Sequence, residues 1–160
     1  MVSKVLFSSE KDDWETPQDL FDKLNEEFKF TLDPCCTHKT AKCKKYFTKE
    51  DDGLSKSWAG ETVFCNPPYG KMIKKWIEKS YMESRNNKCK VVLLIPVRTD
   101  TKWFHEFCMD PIVVKSITFI KGRLKFGGQK NPAPFPSMVV EFCHPKKPPT
   151  IPNMLAMSNK

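Results

Sequence analysis

The tetrapeptide Asn66-Pro67-Pro68-Tyr69 is the part of this chain best suited to chemistry, and it follows the apolar run Thr62–Cys65. An amino group conjugated to a ring or carbonyl is a poor nucleophile because its lone pair is delocalised. A carboxamide and a backbone carbonyl that both accept from it favour a pyramidal nitrogen. The prolines lack N–H groups and leave stiffly aimed carbonyls, and Tyr69 supplies a face for a planar base. The residues alone also fit a proline-rich turn after a strand, with Tyr69 on the surface.

Other segments of the chain, in the same order, resemble those of one enzyme family. Together with the tetrapeptide they resemble the phage-type DNA N6-adenine methyltransferase (Dam) family over about residues 12–142. The matching segments are Asp13-Trp14-Glu15-Thr16-Pro17, Leu32-Asp33-Pro34, Tyr46-Phe47-Thr48 with Asp51-Asp52-Gly53-Leu54, Pro96-Val97-Arg98-Thr99-Asp100, Lys121-Gly122-Arg123-Leu124-Lys125-Phe126-Gly127-Gly128 and Ala133-Pro134-Phe135-Pro136-Ser137.

The resemblance implies an enzyme that transfers a methyl group from S-adenosylmethionine (SAM) to the N6 amine of a flipped adenine in DNA. It implies catalytic roles for Asn66, Pro67, Pro68 and Tyr69. It also implies cofactor contacts, which we expect from Thr16, Pro17, Asp33, Pro34, Asp51 and Asp52. Methylation of phage DNA against host restriction is the role that the family suggests.

The segment after Asp33 departs from the family pattern. The glycine-rich turn expected after Asp33-Pro34 is replaced by Cys35-Cys36-Thr37-His38. Glycines there let the backbone approach a cofactor, so we expect a different pocket geometry. On residue type alone, Asp33 also suits a cap of a turn. Asp51 and Asp52 suit either a cofactor contact from a loop or a solvated acidic loop.

The composition is that of one globular domain. The chain has 160 residues, 39% hydrophobic and 29% charged, which is enough for a single core. No apolar run approaches the ~20 residues that span a bilayer, and the first residues lack the features of a signal peptide. Seven irregularly spaced cysteines favour reduced thiols. We therefore expect a cytoplasmic protein, in the host cytoplasm if it is phage-encoded.

The net charge of +8 is concentrated towards the end of the chain. From Lys115 to Lys147 there are seven basic residues and one acid, Glu141. Such a segment is the electrostatic footprint of a polyanion, although it also fits a solvated face with core phenylalanines. With the resemblance it predicts DNA as the partner. The predicted contacts are Arg98, Lys121, Arg123, Lys125, Lys130 and Phe135, the last as a wedge beside the displaced base.

Strands and helices alternate in the predicted fold. Thr16 as N-cap and Pro17 in the first turn open a helix, and the apolar run Val91–Ile95 is typical of a central parallel strand. Further predicted strands are 30–34, 62–65, 116–120 and 137–142, further helices follow residue 72 and span 101–109, and residues 35–60 have no clear prediction. With the resemblance, the pattern predicts an α/β fold, a compact Rossmann-like methyltransferase sheet with helices on both faces. Asp33, Asn66 and Arg98 would share the crevice at the carboxyl ends of its strands.

The predicted domain spans residues 13–143. We expect a flexible arm at residues 1–12 and a disordered, proline- and lysine-rich tail at residues 144–160. Cys35, Cys36, His38 and Cys43 have the composition of a metal site. They lack the second ligand pair of structural zinc sites, so we predict buried thiols and no metal.

Two other functions fit part of the sequence. Amino-methyltransferases acting on RNA guanine or protein glutamine share the Asn-Pro-Pro-Tyr loop, but they lack the downstream Arg-Leu-Lys-Phe and Ala-Pro-Phe-Pro-Ser segments. A basic DNA-binding protein with a decayed cofactor pocket fits the missing glycines, and SAM binding would distinguish it. The recognition sequence in DNA and the oligomeric state cannot be read from the chain.

Overall fold

The computed structural model describes residues 13–145. The arm predicted at residues 1–12, and the predicted tail from residue 146 onward, lie outside the described residues. His144, which was assigned to that tail, is partly buried, and its Nδ1 lies 3.2 Å from the Ser84 carbonyl oxygen. None of the helices in residues 13–145 is long and apolar enough to cross a membrane.

The fold is a six-stranded mixed sheet with helices. In chain order the elements are α1 (Gln18–Phe28), β1 (Leu32–Asp33), β2 (Lys45–Tyr46), a 3-10 helix (Gly53–Ser55), β3 (Thr62–Cys65), α2 (Ile73–Asn86), β4 (Lys90–Pro96), a π-helix (Phe104–Cys108), β5 (Val114–Phe119) and β6 (Ser137–Phe142). The strand order is β2-β1-β3-β4-β6-β5. β2, β1, β3 and β4 are parallel, whereas β6 runs antiparallel to both of its neighbours.

β4 lies at the centre of the sheet, as its apolar run predicts. All five residues of Val91–Ile95 have no solvent exposure. The prediction of a parallel strand is correct only on the β3 side, because β6 pairs with β4 in the antiparallel direction. A strand buried on both faces has the same apolar pattern whichever way its neighbours run, so the pattern does not report direction.

Helices cover both faces of the sheet. Phe21 of α1 packs against Phe64 of β3, with ring centroids 5.1 Å apart. Tyr81 of α2 packs against Phe142 of β6 at 5.9 Å. Phe64 pairs with Val92 and Phe142 pairs with Val91, and successive residues of a strand point to opposite faces. α1 and α2 therefore lie on opposite sides.

The order of the strands reverses at β1. The chain passes from β1 outward to β2 and then returns to form β3 on the other side of β1. Ligands of open α/β sheets bind beyond the carboxyl ends of the strands at such a switch point. Asp33 ends β1 and Asn66 directly follows β3, so both lie at this position.

One local prediction needs correction. Thr16 does not cap α1: the N-cap is Pro17, there is no side-chain capping bond, and the Pro17 carbonyl accepts from Phe21 N at 3.1 Å. The fixed φ of proline suits this position, and the Thr16 hydroxyl is engaged elsewhere. The helix predicted at 101–109 is present at residues 102–108, and its part Phe104–Cys108 is a π-helix.

The segment without a clear prediction contains β2 and the 3-10 helix. β2 has only two residues. One further hydrogen bond, from Phe47 N to the Asp33 carbonyl at 2.9 Å, continues its pairing with β1. So short a strand has no hydrophobic period of its own and is recognisable only from its partner.

Candidate active site

Asn66 is held in one orientation by the segment that precedes α1. Its Nδ2 donates to the Trp14 carbonyl and, at 2.9 Å, to the Thr16 hydroxyl oxygen. Because a carbonyl only accepts, the NH2 must face Trp14 and the Oδ1 atom must face away from it. Within the described residues Oδ1 is buried and has no hydrogen-bond partner. A buried acceptor without a donor costs roughly 1–3 kcal/mol, so this oxygen is suited to accept from a ligand N–H.

Tyr69 is buried rather than displayed on the surface. Its side chain is 6% exposed, and its hydroxyl donates to the Leu94 carbonyl of β4 at 2.9 Å. Burial raises the pKa of this phenol well above its usual value, so it stays neutral. The hydrogen bond fixes the proline-rich loop onto the central strand.

An aromatic cluster of four rings lies at residues 66–69, which we call the Asn66 loop. Its members are Trp14, Tyr69, Phe126 and Phe135. Phe135 lies 5.5 Å from Tyr69 and 5.2 Å from Trp14, both edge-on, and Phe126 lies 6.1 Å from Tyr69. Both phenylalanines belong to residues 120–136, between β5 and β6, which we call the basic loop. Gly127 N of that loop donates to the Glu15 carbonyl at 2.8 Å. The cluster therefore joins the segment before α1, the Asn66 loop and the basic loop.

Cys35 occupies the turn where the family pattern has glycine. Its Sγ lies 3.3 Å from the Asn66 carbonyl oxygen and 3.7 Å from the Sγ of Cys65. Hydrogen bonding to Cys65 and burial raise the pKa of the Cys35 thiol well above its usual value, so it is a neutral donor. The side chain thus packs under Asn66 and links the end of β1 to the end of β3.

Asp33 binds the loop that follows it. Its carboxylate accepts from Lys42 N at 3.0 Å and from Cys35 N at 3.4 Å. Burial raises the pKa of Asp33, although these hydrogen bonds act in the opposite direction. The contacts match the turn-capping alternative, and a cofactor contact of Asp33 remains a prediction.

Asp51 and Asp52 lie on a loop beside the end of β1. The Asp51 carboxylate accepts from Thr48 N at 2.8 Å and from Thr48 Oγ1 at 3.0 Å, and these bonds lower its pKa. Asp52 is exposed, with φ of 54°. A Cβ on the next residue, Gly53, would lie 2.1 Å from the Pro34 carbonyl oxygen. This close approach places both acids at the carboxyl edge of β1.

The basic loop overhangs the same edge. β6 starts where the parallel strands end, because it runs antiparallel to β4, and Val97 N donates to the Pro136 carbonyl at 2.9 Å. The predicted cationic contacts are all exposed: Arg98, Lys121, Arg123, Lys125 and Lys130. An open groove of about 310 Å³ separates the loop from the start of α1, and it is lined by Pro17, Asp19, Leu20, Lys23, Arg123, Leu124 and Lys125.

The profile of the DNA N-6-adenine-methyltransferase (Dam) family matches residues 3–150. The chain belongs to the Dam family. It is 32% identical over 148 residues to the DNA N-6-adenine-methyltransferase of Haemophilus phage HP1 (strain HP1c1), covering 88% of this chain and 83% of the relative. It is 31% identical over 101 residues to the DNA N-6-adenine-methyltransferase of Escherichia phage T1, covering 60% of this chain and 40% of that protein.

The structure of this Dam-family chain groups the predicted site residues in three places. Thr16 lies against Asn66, Pro17 shares a groove with Arg123 and Lys125, and Pro34 lies against Gly53 beside Asp51 and Asp52. Phe135 is half-buried in the aromatic cluster, so it does not stand free as a wedge. The predicted roles of these residues remain predictions.

The residues considered for a metal site are engaged separately. His38 Nδ1 lies 2.8 Å from the Tyr46 hydroxyl, and Cys36 Sγ lies 3.7 Å from the Phe47 carbonyl oxygen. Burial raises the pKa of Cys43 to about 12. Across residues 13–145, no group of three or more His, Cys, Asp or Glu side chains is arranged to hold a metal ion.

Sequence reasoning missed several contributors to the site. Trp14 acts through its backbone carbonyl, which any residue type could supply. The one signal in the sequence is its place in the Asp13–Pro17 segment, two residues before Thr16. In the sequence Cys35 is only a departure from the family pattern, and Phe126 fits either the loop that grips DNA or a core ring. Their contacts join segments distant in the chain, so no local signal reveals them.

Proposed function

We propose that this chain transfers a methyl group from SAM to the N6 amine of adenine in DNA, with the base flipped into a site at Asn66. The observation that carries the proposal is the Asn66 carboxamide, whose NH2 is fully engaged and whose buried Oδ1 has no donor within the described residues. An exocyclic amine is the missing donor. The family membership and the overhanging basic loop support adenine and DNA as the target.

Asn66 and Pro67 act on the nucleophile. The adenine N6 amine donates one N–H to Asn66 Oδ1 and the other to the Pro67 carbonyl, which localises the nitrogen lone pair. As the new N–C bond forms, the S–C bond of the donor breaks with its electron pair, and the methylated nitrogen then releases a proton to water. Holding the reactants in this orientation lowers a barrier by roughly 7–11 kcal/mol. No strong base is required.

The acidic residues at the end of β1 suit the methyl donor. SAM carries hydroxyl, ammonium and sulfonium groups, and it supplies an electrophilic methyl when bound. Asp51, with its lowered pKa, is ionised at neutral pH, and Asp52 is exposed beside it. Both lie next to Pro34 at the switch point of a sheet that we infer to be the Rossmann-like methyltransferase fold. Asp33 would act by holding the loop from Cys35 to Lys42 in place.

Entry of a base requires the aromatic cluster to open. Asn66 Oδ1 is buried and Tyr69 is only 6% exposed, beneath Phe126 and Phe135. A base that stacks on Tyr69 must therefore displace at least one phenylalanine of the basic loop. Contacts of that loop with DNA phosphates would provide the free energy for this displacement, which couples binding to base entry.

The test of this proposal is methyl transfer by wild type and by Asn66→Ala. We expect label from methyl-labelled SAM to appear in N6-methyldeoxyadenosine after digestion of the DNA. Loss of a hydrogen bond to a transition state costs roughly 10²–10³ in rate, so Asn66→Ala should lower the transfer rate by that factor. Its SAM dissociation constant, measured by calorimetry, should stay within about twofold because the carboxamide meets the target.

Asn86→Ala, at the exposed end of α2, is the matched control and should behave as wild type. Label in RNA or protein but not in DNA would assign the chain to another amino-methyltransferase. Absence of SAM binding would instead support a DNA-binding protein with a decayed pocket. Near-normal turnover of Asn66→Ala would show that the Asn66 carboxamide does not act on the target amine, which contradicts the proposal.

A further inference from the structure

We infer that Thr16 is a positioning residue for Asn66, which it orients through its hydroxyl, and that this is its role in place of a contact with the cofactor. The inference rests on the proposed function, since Asn66 is the residue that meets the target amine. It assigns a task in the reaction to the threonine of the Asp-Trp-Glu-Thr-Pro segment.

Both hydrogens of the Asn66 NH2 group are hydrogen-bonded. The two hydrogens of Nδ2 have two acceptors, the Trp14 carbonyl and Thr16 Oγ1, the latter at 2.9 Å. Thr16 is 4% exposed, so water cannot readily replace its hydroxyl. Rotation of the carboxamide by half a turn would place Oδ1 against the Trp14 carbonyl, two acceptors facing each other. The pair of acceptors therefore selects the orientation in which Oδ1 is available to a substrate.

Of the two acceptors, only the Thr16 hydroxyl can be removed by a substitution, so Thr16 is the residue with which to test the inference. The Trp14 carbonyl belongs to the backbone and persists in any side-chain variant. The Thr16 hydroxyl can be removed with almost no change in shape, because valine replaces the hydroxyl by a methyl group. In Thr16→Val one hydrogen of Nδ2 is left buried without an acceptor, and the preferred orientation of the carboxamide is weakened.

The first experiment compares Thr16→Val, Thr16→Ser and the control Thr118→Val, an isosteric change at an exposed position of β5. Loss of the partner that orients a metal ligand typically costs about 10- to 100-fold, and by analogy we expect kcat of Thr16→Val to fall by about that factor. The SAM dissociation constant should stay within about twofold. Thr16→Ser should keep most of the wild-type kcat, and Thr118→Val all of it.

A double variant separates positioning from a general structural effect. If Thr16 acts through Asn66, Thr16→Val should cause no further loss of rate in the Asn66→Ala background. An equal loss in both backgrounds would overturn the inference, as would wild-type kcat in Thr16→Val. A SAM dissociation constant raised tenfold in Thr16→Val with unchanged kcat at saturation would identify Thr16 as a cofactor ligand instead.

Nuclear magnetic resonance tests the orientation without relying on turnover. The side-chain amide signals of Asn66 are assigned by their loss in Asn66→Ala. We expect them to move in Thr16→Val and to stay in place in Thr16→Ser and Thr118→Val, and unmoved signals in Thr16→Val would overturn the inference. If the wild-type protein methylates no adenine in DNA, the proposed function fails, while these spectra still decide whether Thr16 orients Asn66.

Discussion

At Asp33, burial and hydrogen bonding act on one carboxylate in opposite directions. Burial raises its pKa, while the backbone N–H groups of Lys42 and Cys35 lower it, and burial has the larger effect. The folded chain thus holds a proton at Asp33 more readily than the unfolded chain does. The resulting stabilisation is fully present below the ordinary pKa of about 3.9 and is lost as pH rises through the folded value.

We predict that replacing Asp33 by Asn changes the pH dependence of stability in a defined sense. Asparagine does not titrate, so the free energy of unfolding of wild type relative to Asp33→Asn should fall as pH rises above about 4, by about 1.4 kcal/mol per unit of pKa difference. Urea unfolding at several pH values measures it.

Asp51→Asn supplies a contrast of opposite sign. Hydrogen bonds from Thr48 lower the pKa of Asp51, so its stabilisation is present above the ordinary value and is lost as pH falls through the folded value. As pH rises towards about 3.9, wild type should gain stability relative to Asp51→Asn, whereas above that value it should lose stability relative to Asp33→Asn. Parallel profiles for the two variants would contradict both assignments.

Among the elements, those at the β1–β2 edge of the sheet are very short. β1 and β2 have two residues each, and the 3-10 helix has three. Their positions therefore depend on single close contacts. The contact of Gly53 with the Pro34 carbonyl is the tightest, since no Cβ fits between them.

We expect Gly53→Ala to separate the loop of Asp51 and Asp52 from the end of β1. Overpacking of a buried position costs roughly 1–3 kcal/mol, and the SAM dissociation constant should rise at least tenfold. Thermal unfolding and calorimetry measure the two effects.

Gly60→Ala is the matched control for Gly53→Ala. Gly60 has φ of 75°, and nothing lies within 4 Å of a Cβ there. Only the cost of a left-handed conformation, roughly 1–2 kcal/mol, applies, and SAM affinity should not change. Similar SAM affinities in both variants would show that the Gly53–Pro34 contact does not position the acids.

For the whole molecule, topology decides where the positive charge acts. The chain carries a net charge of +8, and the basic loop joins the end of β5 to the start of β6. Because β6 alone is antiparallel among its neighbours, both of these points lie at the edge where β1, β3 and β4 end. The cations and the Asn66 loop therefore share one side of the molecule.

We predict that Lys121→Gln, Arg123→Gln and Lys125→Gln together weaken DNA binding and flatten its salt dependence. Each lost phosphate contact changes the slope of log K against log[salt] by about 0.9 on duplex DNA. SAM affinity should stay constant because these residues lie on the basic loop. The measurement is a DNA titration at several salt concentrations.

A second triple variant controls for total charge. Lys29→Gln, Lys75→Gln and Lys88→Gln remove three exposed cations from the described residues outside the basic loop, and the slope should barely change. If the two triples give equal slopes, binding depends on net charge alone. If the variant with three substitutions in the basic loop leaves the slope unchanged, the DNA surface must lie elsewhere, with Lys42, Lys44 and Lys45 as the next candidates.

The elements with strong local patterns are predictable from residue types alone. The strands Thr62–Cys65 and Ser137–Phe142 coincide with β3 and β6, and Val91–Ile95 is the buried centre of β4. A short, mostly apolar run that is rich in β-branched or aromatic residues and bounded by turn signals is typical of a buried strand. The polar residues that follow such strands are then placed at the edge of the sheet, and Asn66 is one of them.

The groups that meet at that edge are not predictable from local patterns, because packing between distant segments brings them together. The Thr16 hydroxyl serves Asn66, 50 residues away, and does not cap its own helix; Cys35 packs under the Asn66 carbonyl; Tyr69 is covered by Phe126 and Phe135. Each of these contacts joins segments far apart in the chain, and its free energy depends on burial and on the partner present. Residue type limits what a side chain can donate or accept, whereas packing selects the partner.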